Sequence, residues 1–176
     1  MSTRTATQPF VTSRVFDAPR ERVWKAWTDA EQMKKWWGPA GFKVHTARMD
    51  LRPGGIFHYG MKAPDGSDMW GRFTFREIDA PKRLVFINAF SDPKGGVTRH
   101  PGHMTWPLEM LSTITFEEVG NNPKGQGGKT KVTVQWIPAD SSTELERKTF
   151  DEGHDSMKQG WGGTMNQLAA YLEPAK

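Results

Sequence analysis

Apolar side chains near the C-terminus recur at spacings of three and four residues. The positions that share this spacing are Phe150, His154, Met157, Trp161, Met165, Leu168 and Leu172. The spacing predicts one face of a helix from Ser142 to Leu172, with Ser141 and Glu144 at the separation of a capping box. The same stretch contains four glycines, and each costs roughly 1 kcal/mol inside a helix. A long helix that retains them is typical of a lid that leaves space above a sheet.

Upstream of this helix the apolar period falls to two residues. From Phe42 to Pro138, alternating segments are separated by turns rich in Gly, Pro and Asn, which predicts six strands in an antiparallel meander. Before them the pattern predicts a first strand, Phe10 to Phe16, and two short helices. We expect Asp17 to cap the first helix and the Thr28–Glu31 spacing to start the second. The order predicts an α+β domain with a sheet wrapped around the C-terminal helix.

Alternation along each strand assigns one face of the sheet to the interior. The residues on that face are Phe57, Tyr59, Met61, Met69, Gly71, Phe73, Phe75, Leu108, Met110, Ser112, Ile114, Phe116, Val132, Val134 and Trp136. The strand from Leu84 to Phe90 is apolar on both faces, so its orientation stays open. These side chains either fill a solid core or leave a pocket between the sheet and the helix, and periodicity alone does not separate the two.

A long connection, Ser91 to Pro107, joins two of the predicted strands. It contains Trp106, three prolines and two histidines, a composition that argues against plain disorder. Connections in an antiparallel meander alternate between the two ends of the sheet. This connection is therefore expected at the same end as the turn at 63–67 and the helix entry at 138–142. We interpret it as a flap over that end.

Length and composition indicate one domain, expected at residues 9–173 after a disordered tail at residues 1–8. The chain has 176 residues, with eight Trp, ten Phe, nine Met and no Cys, so disulfides and thiolate chemistry are excluded. The net charge of +4 comes from dispersed Lys and Arg, which argues against nucleic-acid binding. No apolar run is long enough for membrane insertion. These features predict a cytoplasmic protein.

Few residues suggest catalysis. His100 and His103 form an H-x-x-H pattern in a loop, without the third ligand and rigid frame that a metal site needs, so no metal or other cofactor is expected. His154 and His100 are weak candidates for a general base, because no partner for either is evident. Tyr59 and Ser112 could orient a ligand through hydrogen bonds, but neither lies in a nucleophile motif.

Several motifs along the chain resemble one known family. They are Phe16-Asp17-Ala18-Pro19, Val23-Trp24, Ala26-Trp27, Trp36-Trp37-Gly38-Pro39, Gly41-Phe42, Asp50-Leu51-Arg52-Pro53-Gly54-Gly55, Asp65-Gly66, Pro81 with Arg83-Leu84-Val85-Phe86, and the stretch from His154 to Leu172. Their order over residues 10–172 is similar to that of the SRPBCC (START/Bet v 1-like) superfamily. Within it, the chain most resembles the family of the C-terminal domain of the activator of the heat-shock protein 90 ATPase. This resemblance implies a helix-grip fold, with a seven-stranded antiparallel sheet around a long C-terminal helix and a cavity between them. It also suggests a bacterial origin.

We therefore predict a protein that binds a hydrophobic or aromatic small molecule in that cavity. The candidate ligand-binding residues are Trp37, Tyr59, Met61, Met69, Phe73, Phe86, Trp106, Met110, Ser112, His154, Met157 and Trp161. One alternative is a cyclase, dehydratase or hydrolase that uses the same cavity, with His154 or His100 moving a proton. A second alternative, a chaperone-interacting module, follows from the family resemblance alone. A homodimer is compatible with all three hypotheses.

Overall fold

A computed structural model describes residues 8–100, 102–121 and 128–173 of the chain. Its strands are β1 (Phe10–Phe16), β2 (Lys43–Met49), β3 (Ile56–Lys62), β4 (Asp68–Asp79), β5 (Arg83–Ser91), β6 (Val97–Thr98), β7 (Met110–Asn121) and β8 (Gly128–Pro138). Its helices are α1 (Arg20–Thr28), α2 (Ala30–Trp36), α3 (Glu144–Glu152) and α4 (His154–Leu172). The predicted tail at 1–8 lies outside the described residues except for Gln8, whose backbone N–H donates to Asp151 at 3.1 Å.

The strands form one antiparallel sheet in the order β1-β8-β7-β5-β4-β3-β2. The predicted meander is confirmed, because each strand from β2 onward pairs with the next long strand in the chain. The first strand, β1, lies at the edge of the sheet and pairs with β8. The two-residue strand β6 was not predicted; it turns back onto the end of β5, where Thr98 pairs with Phe90. This α+β arrangement is the predicted helix-grip fold.

The predicted interior face of the sheet is confirmed by burial and by register. Cα partners across β3 and β4 are Phe57 with Phe73, Tyr59 with Gly71, and Met61 with Met69. On β7 the side chains of Met110, Ser112, Ile114 and Phe116 are all buried. Leu108, which the alternation placed on the same strand, precedes its first residue and is only half-buried. From the first residue of β7 onward, the alternation of apolar and polar residues therefore assigned the interior side chains correctly.

The starts of the two short helices differ from the predicted caps. No side chain caps α1, whose N-cap position is Pro19 and not Asp17. The carboxylate of Asp29 caps α2, where it accepts from the backbone N–H of Glu31 at 2.9 Å. The hydroxyl of Thr28 instead donates to the Trp24 carbonyl at 2.8 Å, so it is the last residue of α1. Asp and Thr are both good N-cap residues. Because Asp29 is the single residue between α1 and α2, it occupies the N-cap position of α2.

The predicted C-terminal helix is two helices separated at Gly153. A capping box starts α3 at Thr143 and Glu146, two residues after the predicted pair. The backbone N–H of Gly153 donates to the Phe150 carbonyl at 3.0 Å and ends α3. A Cβ atom at Gly153 would lie 3.0 Å from the ring of Trp106, so the junction also needs a small residue. The break between α3 and α4 therefore lies beneath Trp106, which belongs to the predicted flap.

Tryptophan rings join the helices to each other and to the sheet. Trp27 of α1 contacts Trp36 of α2 at a ring-centroid distance of 5.0 Å and stacks on Trp161 of α4 at 6.2 Å. Trp37, directly after α2, contacts both Trp161 at 5.7 Å and Phe73 of β4 at 5.4 Å. All of these rings are buried, and truncating one such ring to alanine typically costs about 3–5 kcal/mol. This cluster fills one end of the space between the sheet and α4.

We expect Gly71→Ala to destabilise the fold by about 1–3 kcal/mol, because the added methyl group would overlap the buried ring of Tyr59. Denaturant unfolding measures the loss. Gly162→Ala is the matched control, since a Cβ there meets open space on an exposed helix surface. It should raise stability by roughly 1 kcal/mol through helix propensity. Equal stability of Gly71→Ala and the wild type would contradict the packing of Tyr59 over Gly71.

Candidate ligand-binding site

A cavity of about 480 Å³ lies between α4 and the interior face of the sheet. The predicted ligand-binding residues on its wall are Trp37, Tyr59, Met61, Met69, Phe73, Phe86, Trp106, Met110, Met157 and Trp161. His100, one of the two catalytic candidates, also lies on the wall. The structure thus brings together side chains from β3, β4, β5, β7, α4 and the flap segment. Their role in binding stays a prediction.

Two predicted site residues, Ser112 and His154, do not line the cavity. Ser112 is fully buried beneath the wall, where its hydroxyl donates to the side-chain oxygen of Asn88. His154 is on the expected face of α4, but it lies one turn before Met157. There its ring packs between Phe10 at 5.8 Å and Phe150 at 5.2 Å, which fill the space next to it. Helical spacing indicates a face and does not show how far along that face the cavity extends.

Several wall residues were absent from the predicted site. The prediction missed Asn88 and Phe90 of β5 because that strand is apolar on both faces, so its interior face could not be recognised. Alternation along the strand from Phe86 would have placed both residues on the cavity side. Trp136 of β8 was placed on the interior face but was not selected. Gly160 and Thr164 of α4 also line the cavity. No Cβ contact would form at Gly160 within 4 Å, so this glycine leaves cavity space open.

The mouth segment, defined as residues 99–100 and 102–108, covers the end of the cavity. His100, His103, Trp106 and Pro107 contribute to the wall from this segment. Pro101 lies outside the described residues. The hydroxyl of Thr149 on α3 donates to that of Thr105 at 2.9 Å. The segment therefore lies against α3 as well as over the cavity, as expected for a flap.

Glu146 of α3 holds the mouth segment in place. Its buried carboxylate accepts from the Arg99 guanidinium at 2.6 Å and from the Leu108 backbone N–H at 2.8 Å. Its second oxygen accepts from the backbone N–H of Thr143 at 2.9 Å. Burial works to raise the pKa of Glu146, but the hydrogen bonds from Thr143, Arg99 and Leu108 lower it below the usual value. One ionised carboxylate thus connects both ends of the segment to the start of α3.

Two titratable side chains on the wall, Tyr59 and His100, have pKa values shifted in the direction that favours the uncharged form. Burial raises the pKa of Tyr59 to about 12, and the adjacent indole of Trp37 offsets part of that effect. Burial lowers the pKa of His100, and the nearby His103 lowers it further. The backbone N–H of Gly102 donates to Nδ1 of His100 at 2.9 Å, so the neutral ring carries its proton on Nε2. Over the described part of the wall there is no Asp, Glu, Lys or Arg side chain.

Within residues 8–100, 102–121 and 128–173, no three His, Asp or Glu side chains are grouped so that they could hold a metal ion. Among the helices that the structure describes, none combines the length and the apolar character needed to cross a bilayer.

Comparison with known proteins shows the family. The model of the family described as "Activator of Hsp90 ATPase homolog 1-like protein" matches residues 17–173, so the chain belongs to this family, within the SRPBCC superfamily. No curated protein matches the chain.

Solved structures with the same fold cover nearly the whole chain. Protein Ms6760 from Mycobacterium smegmatis is 27% identical with a TM-score of 0.72, over 97% of this chain and 93% of that one. A protein from Arthrobacter aurescens is 28% identical with a TM-score of 0.73, over 97% and 89%. Protein NE0264 from Nitrosomonas europaea is 26% identical with a TM-score of 0.68, over 96% of each chain. These likenesses confirm the predicted resemblance and the helix-grip fold.

We expect Glu146→Gln to loosen the mouth segment and to cost about 2 kcal/mol, because the amide nitrogen would face one of the N–H donors that the carboxylate now binds. Hydrogen exchange at the Leu108 amide measures the loosening. Glu144→Gln, at an exposed position in the same helical turn, is the control. Unchanged exchange at Leu108 in Glu146→Gln would contradict the anchoring role.

The difference in stability between the wild type and Glu146→Gln should depend on pH, and its direction follows from the lowered pKa of Glu146. Because the folded pKa of Glu146 is depressed, its contribution to stability is complete above the ordinary value of 4.5 and is lost as pH falls through the lowered value. The wild type should therefore be more stable than Glu146→Gln at pH 7, and the difference should shrink in acid. Unfolding curves at several pH values test this. A difference that grows as the pH falls would show that the sign is wrong.

Proposed function

We propose that the protein binds a hydrophobic or aromatic small molecule in the cavity between the sheet and α4. The observation that carries this proposal is a cavity of about 480 Å³ between the sheet and α4. Protein interiors are close-packed, with few voids larger than a water molecule. Small-molecule sites typically have volumes of about 300–1,000 Å³. A space of this size is therefore explained by an occupant better than by imperfect packing.

The chemistry of the wall supports an apolar ligand. Phe73 and Phe86 stack face to face at a ring-centroid distance of 4.0 Å and an interplanar angle of 12°, and both rings contribute apolar area to the wall. Met61, Met69 and Met157 lie on the wall around them. Methionine adapts its shape to varied partners and contacts aromatic rings favourably through sulfur. Aromatic and aliphatic ligands would both gain from burial here.

The enzyme hypothesis retains one candidate side chain. Of the two histidines considered, only His100 lies on the cavity wall, in a largely neutral state with its proton on Nε2. A neutral histidine is suited to moving a proton, so a cyclase, dehydratase or hydrolase reaction is the second candidate function. Unchanged turnover in His100→Ala would remove this role. A chaperone-interacting module is supported by the family description alone, and cytoplasmic location and a homodimer stay predictions from the sequence.

We expect Gly160→Leu to weaken the binding of the uncharged fluorophore N-phenyl-1-naphthylamine by at least about tenfold, because the side chain would enter open cavity space. Fluorescence titration measures the affinity. Gly162→Leu is the matched control, since it makes the same change two residues away at an exposed position with open space around it. Both changes favour helix by roughly 0.5–1 kcal/mol, so weaker binding would not reflect unfolding.

Equal affinity of the wild type, Gly160→Leu and Gly162→Leu for this fluorophore would overturn the proposed site. Native mass spectrometry of the protein purified without added ligand provides an independent measurement. A co-purifying molecule that the wild type carries and Gly160→Leu lacks would identify the chemical class of the ligand directly. Its extraction under denaturing conditions would then allow its structure to be determined.

A further inference from the structure

The sheet has an outer face, opposite the interior face that forms the cavity. Along β7, Leu111, Thr113 and Thr115 alternate with the buried interior side chains and therefore point outward. The helices contact the sheet from the interior side, where Trp24 of α1 packs on Phe116. The outer face is therefore the side of the sheet that is turned away from the helices.

The register aligns the outward side chains in three rows that run across neighbouring strands. The first row, from β4 to β8, consists of Thr74, Ile87, Leu111 and Ile137. The second row, from β5 to β1, consists of Val85, Thr113, Gln135 and Val11. The third row, from β7 to β1, consists of Thr115, Thr133 and Ser13. We call these three rows the outer patch, and none of their residues carries a charge.

The outer patch differs from the usual solvent-facing side of an antiparallel sheet. A face in contact with water normally carries polar and charged side chains, as this one does beside the patch at Arg72, Arg83 and Lys131. Within the patch, β-branched and apolar side chains dominate, and Val11 is 55% exposed. Side chains of this kind pack well against a second layer. A contiguous uncharged patch of this kind is typical of an interaction surface.

The size of the outer patch fits a small protein interface. Neighbouring strands lie about 4.8 Å apart and alternate residues along a strand about 6.8 Å apart, so five strands and three rows with their side chains cover about 25 Å by 20 Å. This corresponds to roughly 500 Å² for each partner and roughly 1,000 Å² in total, which is the lower end for specific interfaces. Association through the patch is therefore expected to be weak and reversible.

The charge distribution favours a second copy of the chain as the partner. In a two-fold interface, residues near the axis face their own copies, so a charge at the centre would be repelled by itself. The centre here is the pair Thr113 and Gln135, whose hydroxyl and amide groups can both donate and accept. At the rim, Arg83 lies 3.8 Å from Glu77, so charges of both signs are present. A patch without net charge offers nothing to select a strongly charged partner.

We propose that the outer patch is the interface of a homodimer, in which two copies pack sheet on sheet about a two-fold axis near Thr113 and Gln135. The two sheets would lie about 10 Å apart, as in a β-sandwich. Because the cavities lie on the interior faces, both mouth segments stay accessible in such a dimer. The inference concerns a different surface from the proposed ligand site and does not depend on it.

Sedimentation velocity over protein concentrations from about 1 to 300 µM tests the association. We expect a reversible dimer with a dissociation constant of about 1–100 µM, as for a small interface. The constant should change little with salt, because uncharged side chains form the contact. A monomer at every concentration would overturn the proposal. A dimer that dissociates in high salt would also overturn it, because its contacts would be between charged surfaces.

A matched pair of variants tests which surface forms the dimer. Gln135→Arg places a charge at the centre of the outer patch, and the symmetry makes it occur twice in the interface. We expect it to weaken the dimer at least about tenfold, since two like charges would lose water and face each other. Gln159→Arg makes the same change at an exposed position of α4 and should leave the dissociation constant unchanged. Equal constants for the wild type and both variants would show that another surface is used.

Covalent linking provides a second measurement that does not depend on the stability of the charged variant. The chain has no cysteine, so Gln135→Cys and Gln159→Cys each carry a single thiol. A short bis-maleimide should link Gln135→Cys into a dimer at concentrations above the dissociation constant, and Gln159→Cys should stay largely unlinked. Equal linking of the two variants, or no linking of Gln135→Cys, would overturn the proposed interface.

Discussion

The contact of Trp161 with Trp27 and Trp37 is the interaction on which the rest of the structure depends. It joins the C-terminal helix to the short helical pair, and through Phe73 it joins both to the sheet. Large rigid rings hold α4 at a distance from the sheet that smaller side chains would not maintain. Where this cluster ends, the sheet and helix remain apart and the cavity begins. The same contact therefore provides stability and creates the space available for a ligand.

Glycine and glutamate complete the enclosure in different ways. Gly160 keeps the helix side of the cavity open, and Gly153 allows the chain to break beneath Trp106. Glu146 then fixes the mouth segment over the open end through charge-assisted hydrogen bonds, which are stronger than neutral ones. The interior thus combines a largely apolar wall, without Asp, Glu, Lys or Arg among its described residues, with a polar anchor placed outside it. Such a division is compatible with the proposed binding of an apolar molecule.

Much of this architecture was predictable from local pattern. Alternation placed Phe57, Tyr59 and Met61 on the interior face, and turn chemistry set the number of long strands. Helical spacing placed Met157 and Trp161 on one side of the last helix. The break at Gly153 was not predictable, because a glycine inside a helical pattern is compatible with both continuation and termination. Likewise, capping-box spacing occurred twice near the start of α3, and neighbouring packing selected the second.

The sequence by itself determined the order of the seven long strands, the interior faces of most of them and the family, because each depends on neighbours close along the chain. Only the tertiary structure decided that Ser112 lies beneath the wall, that Phe10 and Phe150 enclose His154, and that the indoles of Trp136 and Trp161 meet. These outcomes depend on side chains far apart in sequence that compete for one volume. Periodicity indicates the direction of a side chain, whereas only packing in three dimensions shows what it meets there.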